Sequence, residues 1–170
     1  GINYHDKTSG LFNIASGNLT NTWKNFIDNC DILPSKKELN VNTNINDIKL
    51  KDNIYIKQNN IKLDLGGIAK GYATEIVGNY LEERKIESYI INAGGNVKVG
   101  KAHDKDNYVV GITNPDDTST IFNKVNINNL SVVTTGNYQR YCKKNSKIYS
   151  HVINPITNMS NACIGIDTHT

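Results

Sequence analysis

The stretch from Leu63 to Leu81 constrains this chain more than any other. Leu63-Asp-Leu-Gly-Gly-Ile-Ala-Lys-Gly-Tyr72 leaves a strand-like alternation through two glycines and enters a helical period. Ile68, Ala69, Tyr72, Ala73, Ile76, Val77, Tyr80 and Leu81 recur at helical spacing, with Glu75, Asn79 and Glu82 on the other face. Arg84 and Lys85 close the run, where cations suit the negative end of the helix dipole.

Around this helix the chain reads mostly as strands. Ile54–Lys57 and Ile61–Leu65 alternate apolar with polar residues about Asn59-Asn60, which predicts a β-hairpin. Tyr89–Asn92 and Asn96–Val99 flank an Ala93-Gly94-Gly95 turn, and Tyr108–Ile112, Ile121–Ile127 and Leu130–Thr134 add three more strands. Earlier, the apolar spacing from Leu19 through Trp23 to Phe26 predicts a short helix. Ser35-Lys-Lys-Glu38 fits a capping box for another. Strands outnumber helices and mostly follow one another, so the expected class is α+β with a largely antiparallel sheet.

No internal repeat or long linker interrupts this order. The 170 residues fit one domain with a core, or a large piece of a bigger one. The net charge of +3 is small and the lysines are scattered, without a basic stripe interleaved with aromatics. That argues against a nucleic-acid face. Cys30, Cys142 and Cys163 lie far apart with no Cys-x-x-Cys pair, which argues against zinc. They read as small buried residues, with room for one disulfide. Nothing resembles a signal peptide or a membrane span. The chain starts at Gly1, so a processed or trimmed protein is expected.

Four places carry residue types suited to chemistry. At the start of the long helix, unpaired backbone N–H groups point outward with the positive end of the dipole. Gly66 and Gly67 let a phosphate approach the main chain, and Lys70 adds a full positive charge one turn in. The same turn also reads as plain strand-to-helix geometry, and it is not a P-loop. Asn92-Ala-Gly-Gly95 at a strand end, taken alone, reads as a hairpin turn with glycines at positive φ. Thr134-Thr-Gly-Asn-Tyr-Gln-Arg140 is a hydroxyl-rich turn or a solvated loop. In Ser150-His-Val-Ile-Asn-Pro155 the histidine before an apolar pair is either structural or catalytic. His5, His103 and His169 have no partner motif.

Taken in order, DLGGIAKGYA, INAGGNVKVG, VGITNP, TTGNYQR and SHVINPIT resemble the FAD:protein FMN transferase family, also called ApbE. Thr8-Ser-Gly-Leu-Phe-Asn13 is similar to that family's Thr-x-Gly-Ala-Phe-Asp entry segment. The resemblance runs in register over nearly the whole chain. It implies an Mg²⁺-dependent enzyme outside the cytoplasmic membrane, often a lipoprotein. Such an enzyme moves FMN from FAD to a threonine or serine of a partner flavoprotein, such as a redox-pump subunit, and releases AMP. By motif position Leu11, Phe12, Asn13, Asp64, Lys70 and Ile153 are expected along the FAD. Thr135 stands in the family's Ser-Gly-x-Tyr turn, the Gly67 carbonyl at the metal, and His151 at the histidine assigned to catalysis.

The chain departs from the family pattern in several ways. Asn13 replaces the usual aspartate and removes a charge near the cofactor. Thr135 replaces serine. Asn158 stands where glycine is usual, and asparagine tolerates the left-handed conformation. Residues 1–170 are expected to be a single piece of the domain, without its N-terminal part and its C-terminal metal-ligand segment. Two other functions fit the same motifs: an FAD pyrophosphatase yielding FMN and AMP, and a non-catalytic flavin-binding lipoprotein domain.

Overall fold

The computed structural model describes residues 1–52, 54–57, 60–104, 106–136, 140–160 and 165–169, with the backbone alone for 54–57 and 165–169. Three helices come first: α1 (Ile2–Lys7), α2 (Gly17–Asn29) and α3 (Lys36–Leu39). After β1 (Ile48–Lys51) and β2 (Ile54–Lys57) comes the long helix α4 (Ala69–Glu83). The remainder is strands: β3 (Ile90–Asn92), β4 (Asn96–Val99), β5 (Tyr108–Thr113), β6 (Ile121–Ile127) and β7 (Ser131–Thr135). They continue as β8 (Tyr141–Lys144), β9 (Lys147–Ser150), β10 (Ile153–Asn154), β11 (Met159–Ser160) and β12 (Gly165–His169). The named strands pair antiparallel throughout, in line with the expected class.

The chain divides into two compact units, Gly1–Gly67 with Gln139–Cys163, and Ile68–Tyr138 with Ile164–Thr170. The first is organised on α2. Leu19, Trp23, Phe26 and Ile27 fall on one face of that helix and are buried with Leu39 and Cys142. Full burial of each such aliphatic or aromatic side chain contributes about 1.5–3 kcal/mol. Tyr149 of β9 stacks on Trp23 at 5.8 Å and meets Phe26 edge-on at 5.5 Å. The Trp23 indole N–H donates to the Asn158 carbonyl at 2.9 Å, which satisfies its one polar atom. Asn158 has φ 60°, the conformation anticipated for it, and its amide donates to the Leu39 carbonyl.

Cys30 ends α2 in the left-handed region at φ 52° and is joined by a disulfide to Cys142 of β8. Of the three cysteines, Cys142 is buried, Cys30 is exposed, and Cys163 lies outside the described residues. Ser35 and Glu38 form the anticipated capping box on α3.

The hairpin lies elsewhere than expected. β2 pairs with β1, not with residues 61–65, and Asp52 in the left-handed region starts the turn. The stretch 61–65 is drawn instead to the entry of α2. There the Gly17 N–H donates to the Lys62 carbonyl and the Asp64 N–H to the Ile14 carbonyl, each at 2.9 Å.

In the second unit one sheet has the order β12-β7-β4-β3, and β5 pairs with β6. Val99, Tyr108, Ile127 and Val132 form its core. Helix α4 lies on β3 and β4, but not by its apolar stripe. Thr74 and Gly78 are its buried residues, while Tyr72, Ile76, Val77 and Tyr80 are exposed. The cause is local. A Cβ on Gly78 would sit 2.6 Å from the Lys98 Cε, so glycine alone allows this approach without displacement. Glu75 and Glu82, expected on the outer face, take hydrogen bonds from Lys98 and Tyr89 at 2.7 and 2.6 Å. Burial, then the bond to Glu82, pushes the Tyr89 phenol above its ordinary pKa.

Candidate functional site

In the first unit the entry segment and the glycine turn run side by side. Thr8 builds the entry: its hydroxyl donates to the Tyr4 carbonyl and accepts the Phe12 N–H at 2.9 Å. Gly10, at φ +85°, lets the chain reverse between them. Leu11 is then left exposed, and Phe12 packs beside Gly67. A Cβ on Gly67 would lie 3.1 Å from the Phe12 ring, so close approach explains this glycine. Neither Gly66 nor Gly67 has positive φ.

Asp64 is an acceptor inside the turn: its Oδ1 takes the Gly66 N–H at 2.8 Å. That corrects one expectation, because the Gly66 N–H is spent on Asp64 and not offered outward. Asn13 is also structurally engaged. Its Oδ1 accepts the Ala15 N–H and its Nδ2 donates to the Thr43 carbonyl, both at 2.8 Å. An aspartate accepts but cannot donate, so asparagine here exchanges a charge for a cross-link between distant segments.

His151 and Ile153 lie in another part of that unit, following β9. Ile153 packs against the Trp23 cluster. His151 is exposed between two anchored neighbours. Ser150 is fully buried; its Oγ accepts the Val152 N–H at 3.3 Å and its carbonyl accepts the Ser160 hydroxyl at 2.7 Å.

The second unit holds Lys70 and Thr135. The Lys70 ammonium donates to the Gly94 carbonyl at 2.8 Å, which joins the start of α4 to the Ala-Gly-Gly turn. No side chain caps the N-terminus of α4, so its first-turn N–H groups remain outward donors. The turn itself is closed by Asn92, whose Oδ1 accepts the Gly94 N–H, with Gly94 and Gly95 at φ +65° and +85°. The Gly95 carbonyl takes the Thr134 N–H at 2.8 Å, which brings β7 and its exposed end residue Thr135 next to the same turn. Residues 137–139 of the hydroxyl-rich turn lie outside the described residues.

The sequence reading missed Asn96. It is 5 % exposed, its Oδ1 accepts the Thr74 hydroxyl at 3.3 Å, and a Cβ on Gly71 would sit 3.4 Å from its Nδ2. Its place directly after two glycines was the available signal.

Among the described residues no three His, Cys, Asp or Glu side chains gather to hold a metal. Magnesium wants about six oxygens at close to octahedral geometry. The Gly67 carbonyl and an Asp64 already bonded to Gly66 do not make such a set.

These motifs have relatives. The ApbE family model matches residues 1–163. The chain belongs to the ApbE family. An FAD:protein FMN transferase of Klebsiella pneumoniae (strain 342) is 36% identical over 103 residues, 60% of this chain and 31% of that protein. An FAD:protein FMN transferase of Vibrio cholerae is 28% identical over 164 residues, 92% of this chain and 49% of that one. The crystal structure of the ApbE protein of Thermotoga maritima superposes with a TM-score of 0.83 at 25% identity, over 98% of this chain and 56% of that one. This ApbE chain thus spans about half the length, or less, of these relatives.

Proposed function

We propose that this ApbE-family chain acts in the transfer of FMN from FAD to a serine or threonine hydroxyl of a partner flavoprotein, with release of AMP. The observation that carries the reading is the Lys70–Gly94 bond, which sets a cation at an uncapped helix start beside a glycine turn. A diphosphate repels an oxygen nucleophile, so catalysis requires charge neutralisation and positioning. Lys70 and the first-turn N–H groups of α4 take up phosphoryl charge. The acceptor oxygen attacks the FMN-side phosphorus, the bond to the AMP phosphate oxygen breaks, and His151 takes the hydroxyl proton. Leu11 and Phe12 offer the apolar surface, with Asp64, Thr135 and Ile153 as further contacts.

Magnesium belongs to this reading through the family position of the Gly67 carbonyl. An oxidising compartment outside the cytoplasmic membrane, with attachment by lipid, is proposed on the same footing. The Cys30–Cys142 disulfide supports the compartment, since such bonds persist where thiols are not kept reduced. A redox-pump subunit is the proposed kind of acceptor.

The test incubates the protein with FAD, Mg²⁺ and a candidate acceptor. A fluorescent acceptor band with AMP in solution supports transfer. Free FMN with an unlabelled acceptor replaces it by FAD pyrophosphatase activity. FAD bound but unchanged leaves a non-catalytic binding domain.

A further inference from the structure

We propose that the Cys30–Cys142 disulfide is a positioning cross-link for His151, so that the protein reaches its full transfer rate only in the oxidised form; the second clause rests on the role given to His151 above. β8 and β9 form a two-stranded sheet of their own. Such a hairpin is marginally stable by itself and takes its position from whatever it packs on. Here that support is α2.

Tyr149 of β9 lies on Trp23 and Phe26 of α2, which fixes one strand by packing. Cys142, paired across the hairpin with Tyr149, fixes the other strand by a covalent bond to the residue that ends α2. The bridged positions are 112 residues apart in sequence. An exposed Asp28–Arg140 pair at 4.0 Å lies nearby, too long and too solvated to replace it.

The clamp reaches His151 in two residues. β9 runs from Tyr149 to the fully buried Ser150, and His151 follows. The Ser150 bonds to Val152 and Ser160 then hold the backbone on both sides of the exposed imidazole. Displacement of the hairpin on α2 therefore carries His151 with it. A shift near 1 Å at a reacting group can cost on the order of a hundredfold in rate.

The experiment uses the protein with Cys163→Ser, which removes the third thiol from exchange. Dithiothreitol reduces the disulfide by supplying two electrons and two protons while closing into its own cyclic disulfide. Two quantities are followed below the melting temperature of both forms. One is the His151 Cε1–H resonance, assigned by its absence in His151→Ala; the other is the rate of FMN labelling. The proposal expects the resonance to move, kcat to fall at least about tenfold, the KM for FAD to hold, and reoxidation to restore all of these. A Cys30→Ala/Cys142→Ala variant should reproduce the reduced state permanently.

An unmoved resonance with an unchanged rate overturns the proposal. So does a reduced protein that has lost its fold, which would make the bond a purely structural staple. A resonance that moves while the rate holds supports the cross-link and instead overturns the role of His151 as base.

Discussion

At the scale of single residues, two positions separate chemistry from scaffolding. Lys70 holds a carbonyl in this structure, and it is also the cation nearest the uncapped start of α4 in sequence. A charge-assisted bond to phosphate contributes about 1.5–3 kcal/mol, or roughly ten- to a hundredfold in affinity. Lys70→Ala should weaken FAD binding by that factor and Lys70→Arg should retain part of it, read by fluorescence titration. An alanine variant with unchanged affinity would leave Lys70 as a tie to Gly94 alone. Asn13 makes the opposite forecast. Asn13→Asp removes the donor to the Thr43 carbonyl and sets a carboxylate against it. The expected cost is about 1–3 kcal/mol of stability, or roughly 2–12 °C in melting temperature. A variant that melts like the parent would show that the bond to the Thr43 carbonyl contributes nothing measurable to stability.

At the scale of elements, legibility followed how local the determining contacts were. The Ser35–Glu38 box was readable because it is set within a few residues. The hairpin partner of β2 was misread because two turn signals, Asp52-Asn53 and Asn59-Asn60, stand on either side of it. The choice between them was made far away, by Ile14 and Gly17 taking up residues 62–64. The orientation of α4 was misread for a related reason. Periodicity reports which residues are apolar, whereas Gly78 and the Lys98 and Tyr89 bonds decided which face meets the sheet. The site motifs were legible as a set, but the Lys70–Gly94 and Asn96–Thr74 contacts were not, since both cross more than twenty residues.

The α3 cap offers an element-scale test. Bonds from the Ser35 side chain, then its backbone, hold the Glu38 carboxyl below its ordinary pKa. A carboxyl depressed on folding favours the folded state above its unfolded value and loses that contribution as pH falls through the folded value. Ser35→Ala should therefore raise the Glu38 pKa towards the ordinary range and weaken the dependence of α3 on acid pH, followed by carboxyl NMR titration. An unchanged Glu38 titration would show that Ser35 does not set it.

At the scale of the molecule, the chain divides into two compact units. The first holds the entry segment, the glycine turn and His151; the second holds Lys70 and Thr135. Among the described residues no helix is long and apolar enough to cross a membrane. The central claim is that His151 does chemistry and does not simply complete the first unit. Its exposure makes the alternatives separable, because a surface substitution usually costs within about 0.5 kcal/mol. The decisive measurement is the FMN-labelling rate of His151→Ala beside its melting temperature, on one preparation. The account predicts a rate lower by about 10²–10⁴, FAD affinity retained, and a melting temperature within roughly 2 °C of the parent. A variant that melts early yet labels its acceptor at the parental rate would contradict it, and the base would have to be another group.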